Sequence, residues 1–148
     1  MHARRAIVNA AAAACDLLAT TGARVYPGRS WPLTAESAPY LLIYARQEQS
    51  ASATMRGSAR KLMRTCTLFV EGIETGVVDT DEVLDTIAEE VETAIAADHT
   101  LGGTCKELLL TQTDINVTED DSARRIGVVR LTFTVTYLTE ANAPATTG

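Results

Sequence analysis

The run Val129-Arg130-Leu131-Thr132-Phe133-Thr134-Val135-Thr136-Tyr137 sets an apolar side chain against a polar one at every step. Successive side chains of a strand point to opposite faces, so the run predicts a strand with one buried and one solvated side. Such a strand needs a neighbour and a cover. Residues 106–118 read as a second long strand, joined to 124–139 by an Asp-rich turn, which predicts an antiparallel pair.

Two helices can supply the cover. Over residues 3–20, Ile7, Ala10, Ala11, Ala14, Leu17 and Leu18 recur at three and four in an alanine-rich stretch, and Gly22 is placed to cap its end. The apolar stripe is made of small side chains, so this helix should lie close to a sheet. The second helix is expected to start at a capping box, with Asp79 as cap and Glu82 reaching back. Val83, Leu84, Ile87, Ala88, Val91, Ala94 and Ile95 then form its apolar stripe, and it ends at Asp98 to Gly103.

Three more strands are predicted. Arg24-Val25-Tyr26 is short and stops at Pro27-Gly28. Tyr40 to Ala45 is almost wholly apolar, which suggests cover on both faces. Lys61 to Glu71 alternates Cys66, Leu68 and Val70 with Thr65, Thr67 and Phe69. Residues 46–60 are polar and small and read as a long mobile loop, or as a hairpin arm with a disordered tip.

The expectation is an α+β fold: two helices on one face of a mainly antiparallel five-stranded sheet, in the order α-β-β-β-α-β-β. Residues 1–139 form one domain, and 140–148 a flexible tail. Tyr40, Leu42, Leu68, Val70, Ile87, Val91, Leu131, Phe133 and Val135 are expected in one core.

The chain has 148 residues, enough for one sizeable core. With 46% hydrophobic and 22% charged residues it is neither disordered nor fibrous. No apolar run approaches the roughly 20 residues that span a bilayer. Met1-His2-Ala3-Arg4-Arg5 carry charge like a signal peptide, but the run Ala6 to Ala14 lacks the leucine density of an h-region. A protein kept in the cytosol is expected. Cys15, Cys66 and Cys105 are widely spaced, without a C-x-x-C, and read as buried thiols rather than a metal or redox site.

Catalytic residues are hard to find. The two histidines stand at the chain start (His2) and in a polar turn (His99), neither beside a nucleophile. Asp79, Asp81 and Asp85 lack the later ligands and the glycine of a calcium loop, since Val83 and Leu84 stand there. No cofactor and no metal are expected, and an enzyme is the least favoured class.

The charges are unevenly placed. From Asp79 to Asp98 there are eight acidic residues and no lysine or arginine, whereas residues 46–64 hold Arg46, Arg56, Arg60, Lys61 and Arg64 against Glu48 alone. Charge runs are usually solvated surfaces. Crowding of like charge without compensation also marks contacts between chains. Asp85, Glu89 and Glu92 fall on one side of the helix, away from Ile87, Val91 and Ile95. The candidate interface residues are therefore Arg46, Glu48, Arg56, Arg60 and Arg64 on the basic segment, and Asp85, Glu89 and Glu92 on the acidic helix. A net charge of −6 argues against a protein that grips nucleic acid through its phosphates.

Several phrases, in their order, resemble the tail terminator (tail completion) proteins of long-tailed bacteriophages, the lambda-type minor tail protein U-like family. They are the alanine-rich first helix, Arg24-Val25-Tyr26, Pro39-Tyr40-Leu41-Leu42-Ile43-Tyr44, the acidic helix closing in Leu101-Gly102-Gly103, and the strand from Gly127 to Tyr137. The resemblance runs from about Ala6 to Thr139. It implies a virion protein, assembled in the host cytoplasm, that forms a ring, typically of six copies, on the head-proximal end of the tail tube. Its partners would be itself, the major tail tube protein and a head completion or connector protein, with DNA passing through the ring unbound. It implies no catalytic residues. Another head–tail joining protein is the nearest alternative, followed by a small-molecule-binding regulatory domain, for which no pocket of convergent polar groups is visible.

Overall fold

A computed structural model describes residues 1–28, 38–52, 60–76, 79–119 and 125–147. Its elements are α1 (Ala3–Ala14), β1 (Val25–Pro27), β2 (Tyr40–Ser52), β3 (Lys61–Gly76), α2 (Thr80–Ala96), β4 (Glu107–Glu119), β5 (Arg125–Glu140) and β6 (Ala143–Thr147). The main strand order is β1-β2-β3-β5-β4, with β6 paired to β5 at Thr139 and Glu140. β1 runs parallel to β2, and the other pairs are antiparallel.

The expected five-stranded sheet is thus corrected to six strands, in the order α-β-β-β-α-β-β-β. The extra strand comes from the expected tail. Ala143-Pro-Ala-Thr-Thr has no apolar alternation to announce it, and it pairs with β5 and lies against α1. Of the two readings of 46–60, the hairpin arm is the one found over its described part. β2 continues through Ser52, paired to Leu62, so 46–52 form the arm of a hairpin, and residues 53–59 lie outside the described ones.

The alternation on β5 works as read. Val129, Leu131, Phe133, Val135 and Tyr137 are all buried, in one cluster with Leu68 and Val70 of β3 and with the apolar stripes of α1 and α2. α1 packs over β1 and β2, and α2 over β3, β5 and β4. Two glycines let α2 sit down on the sheet. A Cβ on Gly72 would stand 2.6 Å from Ile87, and one on Gly127 2.6 Å from Thr80 and 2.8 Å from Leu84.

Tyr40 and Leu42 are buried, but in a second cluster with Tyr44 and Ile73 on the opposite face, so the single core expected for them is in fact two. The wholly apolar stretch of β2 feeds both: Leu41 and Ile43 point to the helices, Tyr40, Leu42 and Tyr44 away from them.

Both helix ends differ from expectation. α1 stops at Ala14, because Leu17 takes a left-handed φ of 60° and a tight turn closes from Leu17 N–H to the Gly22 carbonyl. Gly22 (φ 57°) serves that turn rather than a helix cap. Asp79 is itself left-handed (φ 61°) and its side chain caps nothing, so the capping box does not form. Asp81 and Glu82 still lie in the first turn, where negative charge suits the helix dipole.

Candidate functional site

The basic segment read from the sequence is divided by a bulge. Gln47, with φ 57°, is the extra residue between Arg46, opposite Thr67, and Glu48, opposite Cys66. In an unbroken strand Arg46 and Glu48 would share a face. The bulge turns Glu48 to the helix side and leaves Arg46 on the other.

On the helix side Glu48 becomes the centre of a polar knot. It accepts hydrogen bonds from Arg4 Nη1 at 2.7 Å, from Arg64 Nη1 at 3.0 Å and from the Tyr137 hydroxyl. Arg64 Nε also donates to Thr139 Oγ1 at 2.7 Å. Burial alone pushes the Glu48 carboxyl up. The bonds from Tyr137 and Arg64 and the charges of Arg4 and Arg64 outweigh that and hold it below its ordinary value. Glu48 and Arg64 therefore neutralise each other inside the subunit.

Beside the knot is a cavity of about 240 Å³, lined by His2, Arg4, Arg5, Tyr44 and Arg46 among others. His2 is no loose end: its Nδ1 accepts from Arg4 N–H at 3.0 Å and caps α1. Burial, then the Arg4 charge, lower its pKa, which keeps the capping nitrogen unprotonated. Arg46 lies 4.8 Å over the Tyr44 ring and donates to the Ala45 carbonyl at 2.9 Å. Arg60 is exposed just before β3, and Arg56 lies outside the described residues.

The acidic side stands as read: Asp85, Glu89 and Glu92 are exposed on α2, and none forms an ion pair among the described residues. Their neighbour Glu90 is tied inward by the Thr20 N–H at 2.9 Å. Apolar grooves flank this ridge. One, about 390 Å³, lies against Leu17, Leu18 and Ala94. The other, about 210 Å³, lies against Leu109, Leu110 and Ala96. Leu17 is 75% exposed and Leu109 55%, large values for leucines. β4 ends the strand order and is exposed along nearly its whole length, leaving a row of backbone groups beside these leucines.

The face opposite the helices holds one more charged group. Glu71 is buried and accepts from the Tyr44 hydroxyl and from Arg130 Nε at 3.0 Å, while Arg130 lies 5.2 Å over the Phe69 ring. Burial and then the Glu71 bond raise the Tyr44 hydroxyl to about 12, so it stays a hydrogen-bond donor. The three thiols are buried, and burial pushes Cys15 and Cys66 to about 12 and Cys105 to about 11, which leaves them poor nucleophiles. Among the described residues no group of three His, Cys, Asp or Glu could hold a metal ion, and no helix is long and apolar enough to cross a membrane.

Two features escaped the sequence reading. Arg4 and Arg5 read only as signal-like charge, and nothing local ties them to Glu48 or Arg46. The exposed edge of β4 had a signal: Leu108-Leu109-Leu110 cannot all face one way on a strand, so at least one had to point outward.

No family model matches the chain, and comparison with curated proteins finds no match.

Proposed function

We propose that this chain is a structural subunit that joins copies of itself head to tail into a ring and closes the end of a phage tail tube. One observation carries the assembly part: surfaces of opposite sign stand on different elements of one subunit, the acidic one on α2 and the cationic one beside the start of α1. The acidic ridge is on α2, which packs mainly over β5 and β3, next to exposed leucines, and the cationic cavity lies between the start of α1 and β2. Within one subunit the ridge does not fill the cavity, whose lining among the described residues includes no α2 residue. A second copy can fill it, and repetition of an unlike-to-unlike contact closes a ring when the rotation allows.

The tail-tube part is supported by the ordered phrases that resemble tail terminators. In that reading the ring stops tube growth, presents the docking surface for the head, and passes DNA through a hole whose acidic subunits do not hold phosphate. The test is electron microscopy of tails made without this protein. Tubes of uncontrolled length lacking heads are expected, with length control restored by adding the purified protein. Tubes of normal length without it would rule out termination. Normal tubes that fail only to join heads would favour the other head–tail joining role.

A further inference from the structure

We infer, building on the ring reading, that the cavity at the start of α1 is a socket for carboxylate side chains of a second copy of this chain, supplied by Glu89 and Glu92 of its α2. Four cationic or protonatable residues line that cavity, His2, Arg4 and Arg5 from the helix side and Arg46 from the other face at the β2 edge. The carboxylate beside them, Glu48, is already shared by Arg4 and Arg64. Arg5 and Arg46 have no carboxylate partner among the described residues.

Each arginine has a defined neighbour. Arg46 lies over the Tyr44 ring and donates to the Ala45 carbonyl, which ties it to the cavity wall. Arg5 lies against Gly28, where an added Cβ would run into the guanidinium. An arginine held in this way loses less freedom when it meets a carboxylate, which favours paired recognition. The site does not depend on the helix terminus. There the Arg4 N–H is capped by His2 Nδ1 and the Arg5 N–H by the His2 carbonyl at 2.9 Å.

Charge complementarity selects the occupant. Residues 79–98 contain no lysine or arginine, and Glu89 and Glu92, one turn apart, are exposed and have no ion-pair partner among the described residues. No residue of α2 lines the socket within the subunit, so Glu89 and Glu92 are offered to it by another copy. The apolar grooves beside them add area that pairs of charges alone lack. This replaces the basic segment read from the sequence, whose Arg64 is neutralised by Glu48.

The test uses three variants of the full chain: R5E/R46E, E89K/E92K, and the four changes together. Assembly is followed by light scattering after gel filtration at low and high salt, with circular dichroism confirming that each is folded. Each double variant is expected to associate roughly tenfold or more weakly than the parent, and the fourfold variant to recover much of the loss. A double variant that assembles like the parent at low salt overturns the socket, and so does a fourfold variant that stays as weak as the doubles. In either case rings of the parent keep the ring reading intact, with its contact elsewhere. A parent that stays monomeric at every concentration and salt overturns the ring reading itself. Inorganic phosphate and a short single-stranded DNA are titrated alongside. Binding of either that R5E/R46E abolishes, with assembly unchanged, assigns the cavity to a free anion and overturns the inference.

Discussion

Glu48 and Glu89 are the same residue type in two stretches of strongly biased charge, and the fold treats them in opposite ways. Glu48 is drawn inward by the bulge at Gln47 and receives Arg4, Arg64 and Tyr137. Glu89 stays on the outer side of α2 with no ion-pair partner among the described residues. The first is part of what holds the subunit together, since it joins α1, β2, β3 and β5 at one point. The second is available to something else. A run of charge therefore says little until the backbone shows which members are already neutralised.

The largest effect is expected in the core that carries both regions. Phe133→Ala should lower unfolding stability by about 3–5 kcal/mol, read by urea denaturation of the monomer. A loss below about 1 kcal/mol would mean the β5 face is not the packed one.

Next comes the knot. Glu48→Gln removes one charge from a group that accepts three hydrogen bonds and leaves Arg64 largely enclosed, so a loss of about 2–3 kcal/mol is expected. Glu89→Gln should change monomer stability by no more than about 0.5 kcal/mol and weaken assembly only. Equal effects of the two on stability would erase the distinction between them.

The pH dependence separates the regions further. Glu48 lies below its ordinary value of 4.5 in the folded chain, so the unfolded state binds a proton more readily as pH falls. Its contribution is complete above pH 4.5 and is lost as pH drops through the lower folded value. His2, held below its ordinary 6.5, acts in the same direction at higher pH, because protonation removes the cap on α1. Stability should therefore fall from pH 7 to pH 4, and the steeper acid limb should flatten in Glu48→Gln. An unchanged acid limb in that variant would mean that other carboxylates govern it.

An effect between those of Glu48→Gln and Glu89→Gln is expected at the glycine seat under α2. Gly127→Ala should cost about 1–3 kcal/mol through a clash with Thr80 and Leu84, and Gly102→Ala should cost less. Gly102 is left-handed (φ 68°) with open space around it, so only backbone strain acts there.

Much of the scaffold was legible because its signals are periodic. The alternation from Val129 to Tyr137 and the stripe from Leu84 to Ile95 each point a whole set of side chains at one core. What escaped was carried by backbone rather than by side chains. β6 has no apolar period, and the bulge rests on a left-handed glutamine that no residue type advertises. Asp79 had the right neighbours for a capping box and the wrong dihedrals. At the site, the acidic ridge was readable because helical spacing alone exposes it. The basic surface was only partly readable, since Arg64 lies in the same run as Arg46 but across the sheet from it, and Arg4 meets Glu48 across 44 residues of sequence.

The measurement closest to the central claim is a mixture of two subunits, each with one altered surface. R5E/R46E keeps its acidic surface, and E89K/E92K keeps its cationic one. Alone, each should run as a weakly associating species by light scattering. Mixed in equal amounts at low salt, they should form particles larger than a dimer, because every contact between unlike subunits is again between opposite charges. A mixture that remains monomeric would contradict pairing of the two surfaces, and one that stops at a dimer would replace the ring with a two-fold contact.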